Sequence, residues 1–96
     1  MQDINIRVIR QRIEIIDPPE LIAGTKNYLV AKFSFDSTWN GFAKVAVFCS
    51  DYPVAIQNNQ CLIPEEVTKR NSISVKVIGR KGNVQITTNF ALLRQG

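Results

Sequence analysis

The sequence contains no histidine. That removes the commonest general base, the usual metal ligand and every serine–histidine pairing. Cysteine is scarce as well, and Cys49 and Cys61 alone fall short of the four-ligand zinc site. No run of about 18 apolar residues is present, so no helix of this chain is expected to span a membrane. The amino end, Met1-Gln2-Asp3-Ile4-Asn5, lacks the basic start and apolar stretch of a signal peptide, so the expectation is a protein made, and at least initially left, in a cytoplasm. Acidic residues are few and dispersed. Glu65 and Glu66 are adjacent and point in different directions, while Asp36 and Asp51 stand in turn contexts where local hydrogen bonds explain them. These gaps exclude most catalytic chemistry. No enzyme activity, metal or cofactor is expected.

Twelve Lys and Arg stand against eight Asp and Glu, a net charge of +4 over 96 residues. The basic residues do not mass into a patch. Arg7, Arg10 and Arg12 form one loose group and Arg80-Lys81 another, which argues against nucleic acid as the partner. Gly79-Arg80-Lys81-Gly82 lacks the spacing and the following helix of a phosphate loop and reads as a hairpin tip. A hydrophobic share of 45% is ordinary for a folded chain. The length fits a single domain over residues 1–96.

The chain is organised around Phe33 to Phe42. Leu29, Ala31, Phe33 and Phe35 alternate as one face of a strand, expected over 28–35. A polar corner follows at 36–42, carrying the single Trp39 beside Gly41 and Phe42, and a third strand runs from Ala43 to Cys49. Before them, Ile4, Ile6 and Val8 alternate on even numbers, then Ile13 and Ile15 on odd ones. A bulge near Ile9–Gln11, or a strand changing sheets, repairs that shift of parity. Asp17-Pro18-Pro19 ends the strand. Residues 20–27 read as a loop hinged at Gly24, with Leu21 and Ile22 covering one end of the core.

Ser50 to Pro53 turns into Val54–Gln57, and Asn58-Asn59 suits a two-residue hairpin turn because Asn tolerates positive φ. If 44–49, 52–57 and 60–63 form a meander, Cys49 and Cys61 lie about 10 Å apart, too far for a disulfide, and stay free. The alternative is a bridge between sheets. Pro64 to Val67 reads as one helical turn joining two sheets. Ser72–Ile78 alternates cleanly, Gly79–Asn83 forms a hairpin loop, and Val84 to about Leu93 closes the fold. The expectation is an all-β, immunoglobulin-like Greek-key sandwich of about seven or eight strands.

Two strands are apolar on both faces. Tyr28 and Val30 oppose Leu29, Ala31 and Phe33, and Ala46 and Phe48 oppose Val45 and Val47. One reading is cover by loops or central placement. The other is an interface with another subunit or partner, for which Tyr28, Val30 and Phe48 are the candidates. Trp39 and Tyr52 are the candidates for a glycan-stacking platform, with a core plug as the alternative for Trp39.

Three segments in order are similar to one known family. They are Phe33-Ser34-Phe35-Asp36-Ser37-Thr38-Trp39-Asn40-Gly41-Phe42-Ala43-Lys44 with Phe48, then Cys61-Leu62-Ile63-Pro64-Glu65-Glu66-Val67, then Val77-Ile78-Gly79-Arg80-Lys81-Gly82 leading to Ile86-Thr87-Thr88-Asn89. The chain resembles, over residues 25–90, the amino-terminal domain of upper baseplate and related tail or fibre proteins of phages of Gram-positive bacteria. The resemblance implies an immunoglobulin-like sandwich in a virion, assembled in the host cytoplasm, that docks onto other virion proteins or onto copies of itself. It supplies no catalytic residue. In that family a linker, helices or a receptor-binding region follows the sandwich, whereas here Leu93-Arg94-Gln95-Gly96 follows the last strand directly. That difference keeps a capsid decoration protein, the base of a head fibre and a small subunit completed by other chains open as alternatives; a carbohydrate-binding adhesion module, read from Trp39 and Tyr52, is a further one.

Overall fold

A computed structural model describes residues 2–16 and 29–94. Among these residues two sheets enclose one core, as expected for an all-β sandwich. The first sheet runs in the order β2 (Arg12–Ile16), β1 (Gln2–Ile9), β3 (Leu29–Phe35), β6 (Gln60–Leu62). The second runs β5 (Tyr52–Ala55), β4 (Ala43–Phe48), β7 (Ser72–Lys81), and along the far edge of β7 lie both β8 (Val84–Thr87) and β9 (Ala91–Arg94). The chain crosses between sheets from β3 to β4, β5 to β6, and β6 to β7, the last by the helical turn α1 (Glu65–Thr68).

The parity shift near residue 10 has a simpler cause than a bulge or a change of sheet. β1 and β2 form a tight hairpin in one sheet, with Ile9 opposite Arg12 and Val8 opposite Ile13. Partners across a hairpin share a face, and a two-residue turn pairs even numbers with odd. Ile4, Ile6, Val8 and Ile13 therefore all enter the core, and Arg10 takes the positive φ of 55° that the turn requires. β2 returns the chain to the end where β1 began, so β3 pairs with β1 in parallel, Gln2 opposite Leu29. Leu21, Ile22, Gly24 and Tyr28 lie outside the described residues.

The expected meander of 44–49, 52–57 and 60–63 does not form. β5 pairs with β4, but β6 joins β3 in the other sheet, and the Asn58-Asn59 turn carries the chain across. Both Asn residues take positive φ, 55° and 59°, which is the chemistry expected of them. Pro53 is tolerated within β5 because that strand is an edge and one row of its donors faces no partner. Cys49 and Cys61 are both free. Burial pushes the Cys61 thiol up to about 11, since a buried site disfavours the thiolate.

The corner after β3 fastens the two sheets. Trp39 is wholly buried, and its indole Nε1 donates to the Arg10 carbonyl at 2.7 Å. Asp36 donates its backbone N–H to the Val8 carbonyl, and its Oδ2 accepts from the Arg10 N–H at 3.1 Å. The hairpin turn of one sheet is thus tied to the corner that leads into the other. The Trp39 ring packs against Phe35 and edge-on to Phe42, at 5.4 and 6.2 Å between centroids. Gly79 belongs here rather than to a hairpin loop. It is a buried residue of β7, and a Cβ at its position would sit 2.7 Å from the Trp39 ring. The turn proper is Gly82-Asn83, between Lys81 and Val84.

Candidate interface on the second sheet

The closing segment is two strands with a bulge between them. On β7, Ile78 faces Thr87 while Val75 faces Ala91, so three steps along β7 match four along its neighbour. The extra residue is accommodated at Thr88. Its N–H donates to the Val77 carbonyl at 3.0 Å, and its Oγ1 accepts from the Val77 N–H at 2.9 Å while donating to the Asn89 carbonyl. Asn89 ties the bulge to the other sheet: its Oδ1 accepts from the Ile13 N–H at 3.0 Å and its own N–H donates to the Gln11 carbonyl. The Gln11 side chain returns a bond to the Thr87 carbonyl. One residue of β2's free edge is covered by this contact.

The bulge decides which side chains leave the core. In an uninterrupted strand Phe90 and Leu92 share the parity of Val84 and Ile86, and Ile86 packs on the core. After the bulge Ala91 and Leu93 face Val75 and Ile73 on the inner side, while Phe90 and Leu92 stand out in solvent at 63% and 52% exposed. A bulge that re-aims side chains is a familiar device beside binding sites. Sequence reasoning treated Val84–Leu93 as one strand and missed both residues. The available signal was Asn89, a strand-disfavouring residue between the alternating Val84–Thr87 and the apolar Phe90–Leu93.

On the same outer face β4 contributes Val45 and Val47, and β7 contributes Ile78, all half-buried or buried although they point away from the core. This is the two-faced strand expected from the sequence, with the faces now assigned. A groove of about 220 Å³ runs beside the Phe90 ring, lined by Val47, Ser50, Ser74, Lys76 and Phe90.

The residues named from the sequence distribute differently. Phe48 is 1% exposed and part of the core, so it is corrected from interface candidate to packing residue: it points inward opposite Val75, and its neighbour Val47 is the outward one. Val30 is on the outer side of the first sheet, opposite Leu62, and is itself buried. Tyr28 lies outside the described residues. Trp39 has no exposed face, and Tyr52 is half-buried against the core with the Arg70 guanidinium 5.8 Å from its ring centre. The two therefore form no exposed stacking platform, which removes the glycan reading as drawn on them. Arg7, Arg10 and Arg12 lie on the β1–β2 hairpin and Arg80 on the other sheet, with Arg7 paired to Glu14.

Among the described residues no three His, Cys, Asp or Glu side chains gather closely enough to hold a metal ion, and no helix is long and apolar enough to cross a membrane. No family model, curated protein or solved structure matches this chain.

Proposed function

We propose that this chain is a non-enzymatic structural module that docks onto other proteins through the outer face of its second sheet. The resemblance in the Phe33–Lys44, Cys61–Val67 and Val77–Asn89 segments supports reading that docking as one within a phage virion, at the baseplate or tail. Decoration of the capsid, or the base of a head fibre, uses the same face on a different virion protein. The observation that carries the reading is the bulge at Thr88–Asn89, which sets Phe90 and Leu92 on a face already holding Val45, Val47 and Ile78. Fully burying a side chain of this size contributes about 1.5–3 kcal/mol, before the cost of association.

Capture of purified baseplate, tail and capsid proteins of the same particle on the immobilised chain tests this. Wild type retains one of them and the Phe90→Ser/Leu92→Ser double variant loses it, while the urea midpoint stays near that of wild type. Equal retention by both chains refutes the docking face. Light scattering over a range of concentrations separates a self-association from a heterologous contact.

A further inference from the structure

The docking face is also one-signed. The five strands of the second sheet carry Lys44, Lys76, Arg80, Lys81 and Arg94 and not one Asp or Glu. Of these, Lys76, Arg80 and Arg94 have the outward parity, facing Val47, Ala43 and Ser72 across the ladders. Both ion pairs among the described residues, Arg7–Glu14 and Lys32–Asp3, lie on the first sheet. On the second, Arg80 donates to the uncharged Gln85 Oε1 at 3.1 Å. Lys76 and Arg94 have no carboxylate of a described residue within ion-pair distance. Lys76 lines the groove beside Phe90 together with the hydroxyl-bearing Ser50 and Ser74.

A second copy fits this face poorly. An isologous contact sets a patch against itself, and here it brings the cations of the strands toward one another with no acid on those strands to separate them, a juxtaposition that disfavours the pairing. A single-stranded nucleic acid takes its affinity from successive aromatic platforms, whereas this centre holds Phe90 among aliphatic Val45, Val47, Ile78 and Leu92. We infer that the partner is a different protein whose contact surface is aliphatic at its centre and carries carboxylates that meet Lys76, Arg80 and Arg94. This inference rests on the docking reading and names the chemistry of the partner.

The probes are a synthetic peptide of alternating Leu and Asp, its counterpart with Lys in place of Asp, and a mixed-sequence single-stranded DNA. Each is titrated against the isotope-labelled full chain and followed by amide chemical shifts. The acidic peptide is expected to shift Val47, Lys76, Phe90 and Leu92, and the basic one to leave them in place. Reversing two charges in Lys76→Glu/Arg94→Glu is expected to weaken the acidic peptide roughly tenfold, with the urea midpoint near that of wild type because Arg94 is exposed and Lys76 stands half-exposed on the outer face. Equal binding of the two peptides at this face overturns the acidic partner and leaves the docking face standing. No binding of the acidic peptide, tighter binding of DNA at these residues, or concentration-dependent pairing of the chain through them overturns the inference too. Shifts confined to other surfaces, untouched by Phe90→Ser/Leu92→Ser, overturn the docking face itself.

Discussion

Leu62 on the first sheet and Leu92 on the second are almost equally bare, at 55% and 52% exposed, yet their surroundings differ in kind. Around the first sheet's outer face the strands present Asp3, Asn5, Arg7, Arg12, Glu14, Lys32 and Ser34. Asp3 and Lys32 meet at 3.0 Å, and Arg7 meets Glu14. That face pairs two of its cations and is largely solvated, with Leu62 beside Val30 at one corner and Ile9, 47% exposed, and Ile16 also facing outward. The second sheet's outer face has Ala43, Val45 and Val47 down β4 with Ile78 of β7 beside them, Phe90 and Leu92 on its edge, and cations with no acid on its strands. Alternation in a half-buried strand normally sends polar residues outward. The first sheet obeys over most of its face and β4 of the second does not, which is why the proposed docking role is assigned to the second.

The comparison can be broken at several strengths. The largest effect is expected inside both sheets, where the Trp39 corner joins them. Trp39→Ala should cost about 3–5 kcal/mol in urea unfolding, and Gly79→Ala about 1–3 kcal/mol, because its new Cβ meets the indole ring. A Gly79→Ala chain as stable as wild type would show that the ring does not fill that space. Next, the inner and outer faces of the second sheet should read differently. Phe48→Ala is expected to lose about 3–5 kcal/mol, whereas Leu92→Ser on the outer face of the same sheet stays within about 0.5 kcal/mol while abolishing docking. Equal stability losses at the two sites would make Leu92 a core residue.

Asn89→Ala removes the partner of the Ile13 N–H and the side-chain tie between bulge and β2, for a loss of about 1–2 kcal/mol. The second sheet should then fray at β9, seen as faster amide exchange at Leu92 and Leu93. Smallest is the first sheet's exposed ion pair: Lys32→Ala should change stability by about 0.2–1 kcal/mol, less in high salt. A separate handle is the pair of thiols. The folded-state value of Cys61 lies above its ordinary 9.0, at about 11. Unfolded chain therefore ionises first, and stability is full below about pH 9 and falls as pH rises toward 11. Cys61→Ala should flatten that part of the profile. At pH 8 a disulfide reagent should modify half-buried Cys49 well before Cys61.

Much of the sandwich was legible because period-two alternation and turn chemistry are local. Ile73, Val75 and Val77 and the Asn58-Asn59 turn are where their sequence puts them. What escaped depended on pairing between distant segments. The Ile9–Arg12 hairpin looks like a bulge until the partner strand is known. Gly79 looks like a turn residue until Trp39 is seen against it, and β6 looks like the next strand of a meander until it is found beside β3. The docking face was half legible. The two-sided apolarity of β4 can be read directly, but which side faces out cannot, and so the sequence does not tell Phe48 from Val47 as the outward residue. Phe90 and Leu92 were hidden by the single inserted residue at the bulge, which inverts the parity of everything after it.

The most direct measurement compares the two bare leucines in the assembled particle. Hydroxyl-radical footprinting reads side-chain exposure at Leu62, Phe90 and Leu92 in the free chain and again after assembly. The docking account requires Phe90 and Leu92 to become severalfold less reactive while Leu62 keeps its free-chain reactivity. Protection of Leu62 with Phe90 and Leu92 unchanged would put the contact on the first sheet and contradict it.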